Sequence, residues 1–185
     1  MKNNNLEIKS IASKIKLIAF DIDGVMTNNS LFFDENGVEY KRFNGKDGQG
    51  IELFHKAGII PAIISKRNNG TITHRAKVLG ITEAHIGAKN KIEILNEMID
   101  KHGFNHSEVA YMGDDLPDIC VLEKVALACC PNDAVDEVKS ICNFISTKNG
   151  GEGAVRELCE FVLRAQGHND LRKLLETSAK VKCGT

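Results

Sequence analysis

The sequence contains no tryptophan, and aromatic residues make up only 5% of it. That leaves little material for a platform on which nucleobases could stack. It also lacks an excess of charge of either sign, with 24 Lys plus Arg against 25 Asp plus Glu and a formal net charge of −1. A nucleic-acid binder would normally carry a basic footprint, so no such partner is expected. No apolar run approaches the roughly 20 residues that a bilayer-spanning helix needs. Met1–Ser10 is polar and Asn-rich without an apolar h-region, so no secretory signal is expected. The six cysteines, Cys120, Cys129, Cys130, Cys142, Cys159 and Cys183, include no CxxC pair and no histidine at zinc-finger spacing. They read as reduced thiols, with Cys129 and Cys130 closing an apolar run as small hydrophobes. The six histidines are scattered, and none has metal-ligand spacing. These absences leave a near-neutral, cytoplasmic single domain of 185 residues, long enough to bury its own core.

Short apolar runs alternate with longer amphipathic segments. Lys16–Phe20, Ile59–Ile64, Ala84–Ile86, Glu108–Met112, Val125–Ala128 and Cys142–Ile145 read as buried strands. Gly48–Ala57, Asn69–Leu79, Lys89–His102, Leu116–Glu123, Ala134–Lys139 and Gly153–Gln166 read as the helices between and after them. Ile92, Leu95, Met98 and Ile99 form a helical stripe, and Gly58, Gly80 and Gly103 stand where C-caps belong. Such alternation predicts an α/β fold, a doubly wound parallel sheet with helices on both faces. One segment departs from it. Ser30–Phe33 and Val38–Phe43 are β-rich around the turn sequence Asp34–Gly37, which predicts a β-hairpin inserted at about 30–43. The expected core is 16–167, followed by a polar, mobile tail over about 168–185.

The chemistry gathers at strand ends, where open α/β sheets form their ligand crevice. After the first strand comes Asp21-Ile22-Asp23-Gly24-Val25-Met26-Thr27. The second ends at Ser65, followed by Lys66 and Arg67, and Lys91 opens the helix after the third. The fourth ends in Gly113-Asp114-Asp115-Leu116-Pro117-Asp118. Carboxylates at the end of an apolar strand are costly to desolvate unless a cation compensates them. Oxygen donors suit Mg²⁺, which usually takes one or two carboxylates plus a substrate phosphate. In that setting Asp21 is the expected nucleophile and Asp23 the general acid and base. Asp114 holds the ion, Ser65 and Lys91 neutralise phosphoryl oxygens, and Asp118 orients Lys91 or a metal-bound water. Taken singly, each feature has a plainer reading as a turn, a helix cap or a solvated lysine. Their joint order, each at its own strand end, points to a site.

That order resembles the haloacid dehalogenase superfamily phosphatases. Asp21–Thr27 matches the first motif of that family, Ser65 the second, Lys91 the third and Gly113–Asp118 the fourth. Neither Thr27–Ser65 nor Ser65–Lys91 leaves room for a cap domain, so the chain resembles the capless class. Phe43–Gly50, Leu79–Thr82, Tyr111–Leu116 and Gly150–Glu157 are further similar to capless phosphatases of phosphorylated eight-carbon 2-keto sugar acids, from about Lys16 to Gly167. The resemblance implies Asp21, Asp23 and Asp114 around Mg²⁺, with Asp115 and Asp118 behind them. It implies a role in lipopolysaccharide synthesis and a homotetramer whose hairpins form a central barrel and whose subunits close one another's sites. It carries over Arg67 and Arg75 toward the substrate carboxylate, Lys46 across a subunit boundary, and Thr27 and Lys66 among the substrate contacts. The family usually reads Thr-Gly-Arg where this chain has Ser65-Lys66-Arg67. Lys46 stands in place of an Arg, with the loss of a planar bidentate fork. Asn28 and Glu152 also depart, which keeps a nine-carbon sugar-acid phosphate as an alternative substrate. A non-enzymatic phospho-receiver is a further alternative, but Ala84–Ile86 offers no Asp for phosphorylation and the hairpin has no receiver role.

Overall fold

A computed structural model describes residues 2–179 of the chain. In chain order the elements are α1 (Lys2–Ala12), β1 (Leu17–Phe20), β2 (Phe32–Phe33), β3 (Glu39–Tyr40), α2 (Gly45–Ala57), β4 (Ile60–Ser65), α3 (Gly70–Val78) and β5 (Glu83–Ile86). There follow α4 (Lys91–His102), β6 (Val109–Met112), α5 (Ile119–Leu122), β7 (Leu127–Cys130), α6 (Asp136–Ile141), β8 (Phe144–Ile145), α7 (Ala154–Ala165) and α8 (Arg172–Ala179). Six strands form one sheet in the order β5-β4-β1-β6-β7-β8, and every pairing in it is parallel. The expected α/β architecture is therefore the observed one.

A parallel sheet covered on both faces needs strands that are apolar throughout, because alternate side chains enter different cores. In β1, Ile18 and Phe20 join the core under α2 and α7, whereas Leu17 and Ala19 join the core under α4. The central element of the first core is α7, whose Val155, Leu158, Val162 and Leu163 are fully buried. Removing each such side chain from water stabilises the fold by about 1.5–3 kcal/mol. The crossing of α2 over α7 is close. A Cβ at Gly50 would stand 3.2 Å from the Arg156 Cα. Gly58, Gly80 and Gly103 do end helices in left-handed backbone.

The structure departs from the sequence reading in four places. The polar N-terminus forms α1, whose Ile8, Ile11 and Ala12 pack on the first core. The segment expected to be a mobile tail contains α8, with Leu171 and Leu174 against the same core; residues 180–185 lie outside the described residues. The helix expected at Leu116–Glu123 splits into a 3-10 turn over Leu116–Asp118 and the short α5, because Pro117 and an Asp115–Asp118 capping box tighten its start. The hairpin pairs only Phe32 with Tyr40 and Phe33 with Glu39. Its Asp34 turn is closed by Oδ1, which accepts from the Asn36 and Val38 amides at 2.9 Å each. Between β1 and α2 stands only this hairpin, and between β4 and β5 only α3, so neither interval holds a cap domain. Among the described residues no helix is long and apolar enough to cross a membrane.

Candidate active site

Parallel register decides which side chains can meet. Phe20 pairs with Ile63 on one side and Met112 on the other, so β1, β4 and β6 end along one edge. Asp21 leaves the sheet there, its amide donating to the Met112 carbonyl at 3.0 Å. The chain then turns at Gly24, with φ 79°. A Cβ at that position would lie 1.9 Å from the Asp114 Oδ2, so a glycine is required for the two motifs to approach. The loop carrying Gly150 packs just as tightly, since a Cβ there would come within 1.7 Å of the Gly24 carbonyl. Thr27 is 3% exposed, and its hydroxyl donates to the Ile22 carbonyl at 3.3 Å. Its hydroxyl thus closes its own turn.

Lys91 reaches this edge from the first turn of α4 with its side chain 2% exposed. Its Nζ lies 2.8 Å from the Asp21 Oδ2, 2.7 Å from the Asp118 Oδ1 and 3.2 Å from the Tyr111 hydroxyl. Tyr111 in turn donates to the Asp118 Oδ1 at 2.7 Å. The other oxygen of Asp118 accepts from the amides of Asp114 at 3.0 Å and Asp115 at 3.3 Å. Asp118 is saturated. Burial opposes the charge on Lys91, but Asp21 and Asp118 outweigh it and hold the ammonium above its ordinary pKa.

One lysine does not neutralise this edge. Burial, with repulsion from Asp118, pushes Asp21 up to about 6 despite Lys91. Burial and the charges of Asp118, Asp21 and Asp115 push Asp114 up to about 8. Carboxylates that resist ionisation in this way are where a divalent cation gains most. Asp21, Asp114 and Asp118 each offer an oxygen within 4.8 Å of the others. This hard-oxygen donor set fits Mg²⁺. Asp118 enters the group with its lone pairs already engaged, which leaves Asp21 and Asp114 as the available donors. Asp23 was expected among the ligands, but its carboxylate stands apart, 2.5 Å from the Lys41 Nζ and 3.5 Å from the Arg67 Nε.

A cavity of about 150 Å³ opens over this edge, lined by Asp21, Asp23, Asn29, Ser65, Lys66, Arg67, Lys91, Asp114, Asp115, Pro117 and Asp118. Ser65 is 1% exposed, and its Oγ accepts from the Arg67 amide at 3.2 Å. Asp115 caps the following turn through the Leu116 amide at 2.8 Å. A larger cavity, about 620 Å³, lies at the opposite end of the strands beside Lys16, Gly58 and Glu108, its single acidic lining residue, and holds no acidic cluster. Three expected substrate contacts are not brought into the 150 Å³ cavity, the first being Thr27, which is buried in its own turn. Lys46 is exposed on the first turn of α2. Arg75 turns between α2 and α3, donating to the Asn44 carbonyl at 3.2 Å and lying 5.5 Å over the Phe43 ring. The sequence reading missed Tyr111, Asn29, Glu39 and Lys41. Tyr111 carried a signal, since a tyrosine inside a wholly buried strand must find a partner for its hydroxyl.

Known hydrolases share this chain's sequence pattern and fold. The haloacid dehalogenase-like hydrolase family matches residues 66–158. A 3-deoxy-D-manno-octulosonate 8-phosphate phosphatase from Escherichia coli (strain B / BL21-DE3) is 36% identical over 90% of this chain and 89% of its own. A HAD superfamily (subfamily III A) hydrolase from Legionella pneumophila superposes with a TM-score of 0.92 at 36% identity, covering 97% of each chain. The 3-deoxy-D-manno-octulosonate 8-phosphate phosphatase of Moraxella catarrhalis, solved with magnesium, phosphate and the KDO molecule, superposes with a TM-score of 0.87 at 36% identity, covering 92% of this chain and 97% of that one.

Proposed function

The chain belongs to the haloacid dehalogenase-like hydrolases, and from that premise we propose that it is a Mg²⁺-dependent phosphatase of 3-deoxy-D-manno-octulosonate 8-phosphate. It releases the free sugar acid and inorganic phosphate in lipopolysaccharide synthesis, in the cytoplasm. The observation that carries the reading is the Asp21–Lys91–Asp118 contact beside Asp114 at the edge of the sheet. The named relatives, matched along nearly their whole length, support the substrate.

In this reading an Asp21 carboxylate oxygen attacks phosphorus as the bond to the sugar oxygen breaks, giving an aspartyl-phosphate. Asp23, entering this step in its protonated form, gives its proton to the departing alkoxide. It then takes a proton from water, whose oxygen attacks phosphorus and breaks the bond to Asp21, so phosphate leaves and both residues return to their starting state. Lys91 and Ser65 receive the charge that spreads over the phosphoryl oxygens. Asp21 and Asp114 would hold Mg²⁺, which supplies further neutralisation of that charge. Lys66 and Arg67 line the cavity, which supports them as the groups that receive the carboxylate of the sugar acid.

The hairpin supports assembly as a homotetramer. Phe32, Phe33 and Tyr40 are 49%, 58% and 54% exposed, a cluster of large apolar groups that a lone subunit leaves in water. Phosphate release measured across eight- and nine-carbon keto-sugar-acid phosphates, with and without Mg²⁺, tests the function. Preference for a nine-carbon 9-phosphate would overturn the substrate, and turnover undiminished in EDTA would overturn the metal. A light-scattering mass of one subunit would sink the tetramer.

A further inference from the structure

Asp23 must present its carboxylate to the substrate and change protonation twice per turnover, yet it sits on a turn with few constraints of its own. What holds it comes from the hairpin. Side chains alternate along a strand, so Val38 and Tyr40 face outward while Glu39 and Lys41 face the site. The Lys41 side chain is 2% exposed, and its Nζ lies 2.5 Å from the Asp23 Oδ1 and 2.7 Å from the Glu39 Oε1. Glu39 is itself anchored on the loop after β4, through the Asn69 Nδ2 at 3.2 Å and the Arg67 Nη1 at 3.6 Å. Arg67 completes the ring at 3.5 Å from the Asp23 Oδ2. Two acids and two bases therefore alternate around a closed circuit.

The corners of this circuit differ. Arg67 is 45% exposed and makes both contacts at 3.5 Å or more, so it can turn to an anionic substrate at little cost. Lys41 has no such freedom, because withdrawing a buried ammonium would leave two carboxylates without their cation. When Arg67 moves to the substrate, Lys41 remains on Asp23.

We propose that Lys41, held by Glu39, is a positioning residue that orients Asp23 for proton transfer to the leaving oxygen and from the attacking water. The proposal rests on the phosphatase reading above and deepens it. The hairpin then has two functions, with an apolar face turned outward and a charged face that reaches the proton carrier.

The test compares wild type with Lys41→Met, Lys41→Arg, Asp23→Asn and the double variant Lys41→Met/Asp23→Asn, each full-length and saturated with Mg²⁺. Two esters are used, the 8-phosphate of the sugar acid, with a poor alkoxide leaving group, and p-nitrophenyl phosphate, with a good one. For Lys41→Met, kcat on the sugar phosphate is expected to fall about 10–100-fold with KM within about twofold. The loss on the nitrophenyl ester is expected to be about fivefold or less, because that oxygen needs little protonation. Lys41→Arg should recover most of the lost rate, and the double variant should be no slower than Asp23→Asn alone. Equal loss on both esters, a change confined to KM, or additive losses in the double variant would overturn the proposal. Should Lys41→Met not fold by circular dichroism, the charge-balanced Glu39→Gln/Lys41→Gln variant is read by the same ratio of rates. A wild-type protein inactive on both esters would count against the phosphatase reading, separately from Lys41.

Discussion

Two lysines flank the Asp21–Asp23 turn, and both have side chains only 2% exposed. Each bridges two carboxylates, Lys91 joining Asp21 to Asp118 and Lys41 joining Asp23 to Glu39. Their surroundings differ in what can move. Around Lys91 every partner belongs to the sheet edge or the turn beside it, and Asp118 has donors on both oxygens. Around Lys41 the circuit joins Asp23 on the turn, Glu39 on the hairpin and the loop after β4, and one corner, Arg67, is loosely held. The same local chemistry thus makes a fixed site on one side of the turn and an exchangeable one on the other. A phosphoryl acceptor gains from being still, whereas a proton carrier must change its partners.

The contrast can be broken in steps. Asp21→Asn removes the proposed acceptor from the fixed side, and Mg²⁺-dependent phosphate release should fall on the order of 10⁴-fold or more, with circular dichroism unchanged. Full retained turnover would remove Asp21 from the chemistry. Lys91→Met leaves Asp21 and Asp118 buried without their cation and should cost about 3–5 kcal/mol in urea unfolding, besides abolishing activity. A loss below about 1 kcal/mol would mean that the fixed side is more solvated than its burial indicates. Tyr111→Phe takes one of four donors from Asp118 and should cost about 1–3 kcal/mol, with turnover reduced but not lost.

A fifth acid, which touches neither lysine, serves as the control. Glu83 on β5 accepts hydrogen bonds from Lys101, His102 and His85 at 2.7, 2.8 and 3.3 Å. Burial works to raise its pKa, but these donors outweigh it and bring the group down from 4.5 to about 2. A depressed carboxyl stabilises the fold fully above its unfolded pKa of about 4.5 and loses that contribution as pH falls toward about 2. Glu83→Gln should therefore cost about 1–2 kcal/mol at pH 7, and the gap from wild type should narrow as the pH is taken from 5 to 3. A gap that does not change with pH would mean the loss is one of packing. Unlike the two buried lysines, Lys101 is 64% exposed, so it should contribute the least of the three.

The two sides of the turn were not equally legible beforehand. Everything around Lys91 except Tyr111 was readable from the motifs, because parallel strands bring their ends to one edge whatever the details of packing. The circuit around Lys41 was not. Glu39 and Lys41 read only as polar positions of a hairpin, and nothing local says which residue they will meet. Arg75 shows the opposite case. It stands on the helix after the right strand, yet Gly48 leaves a space against which its guanidinium packs, with Nη2 only 2.7 Å from where a Cβ would be. The two terminal helices were missed for a related reason. Their apolar residues are few, and they become helices by resting on a core that the rest of the chain builds.

By itself the sequence determined the α/β alternation, the missing cap and the identity of the acidic motifs, since periodicity and strand-end position are local properties of a chain. Tertiary structure alone decided the pairings: that Asp118 is saturated, that Asp23 stands off the acidic cluster, and that Lys41, from the hairpin, makes the closest contact to it. Those outcomes depend on which charges are buried together, and the strength of a buried charge is set by neighbours distant in sequence.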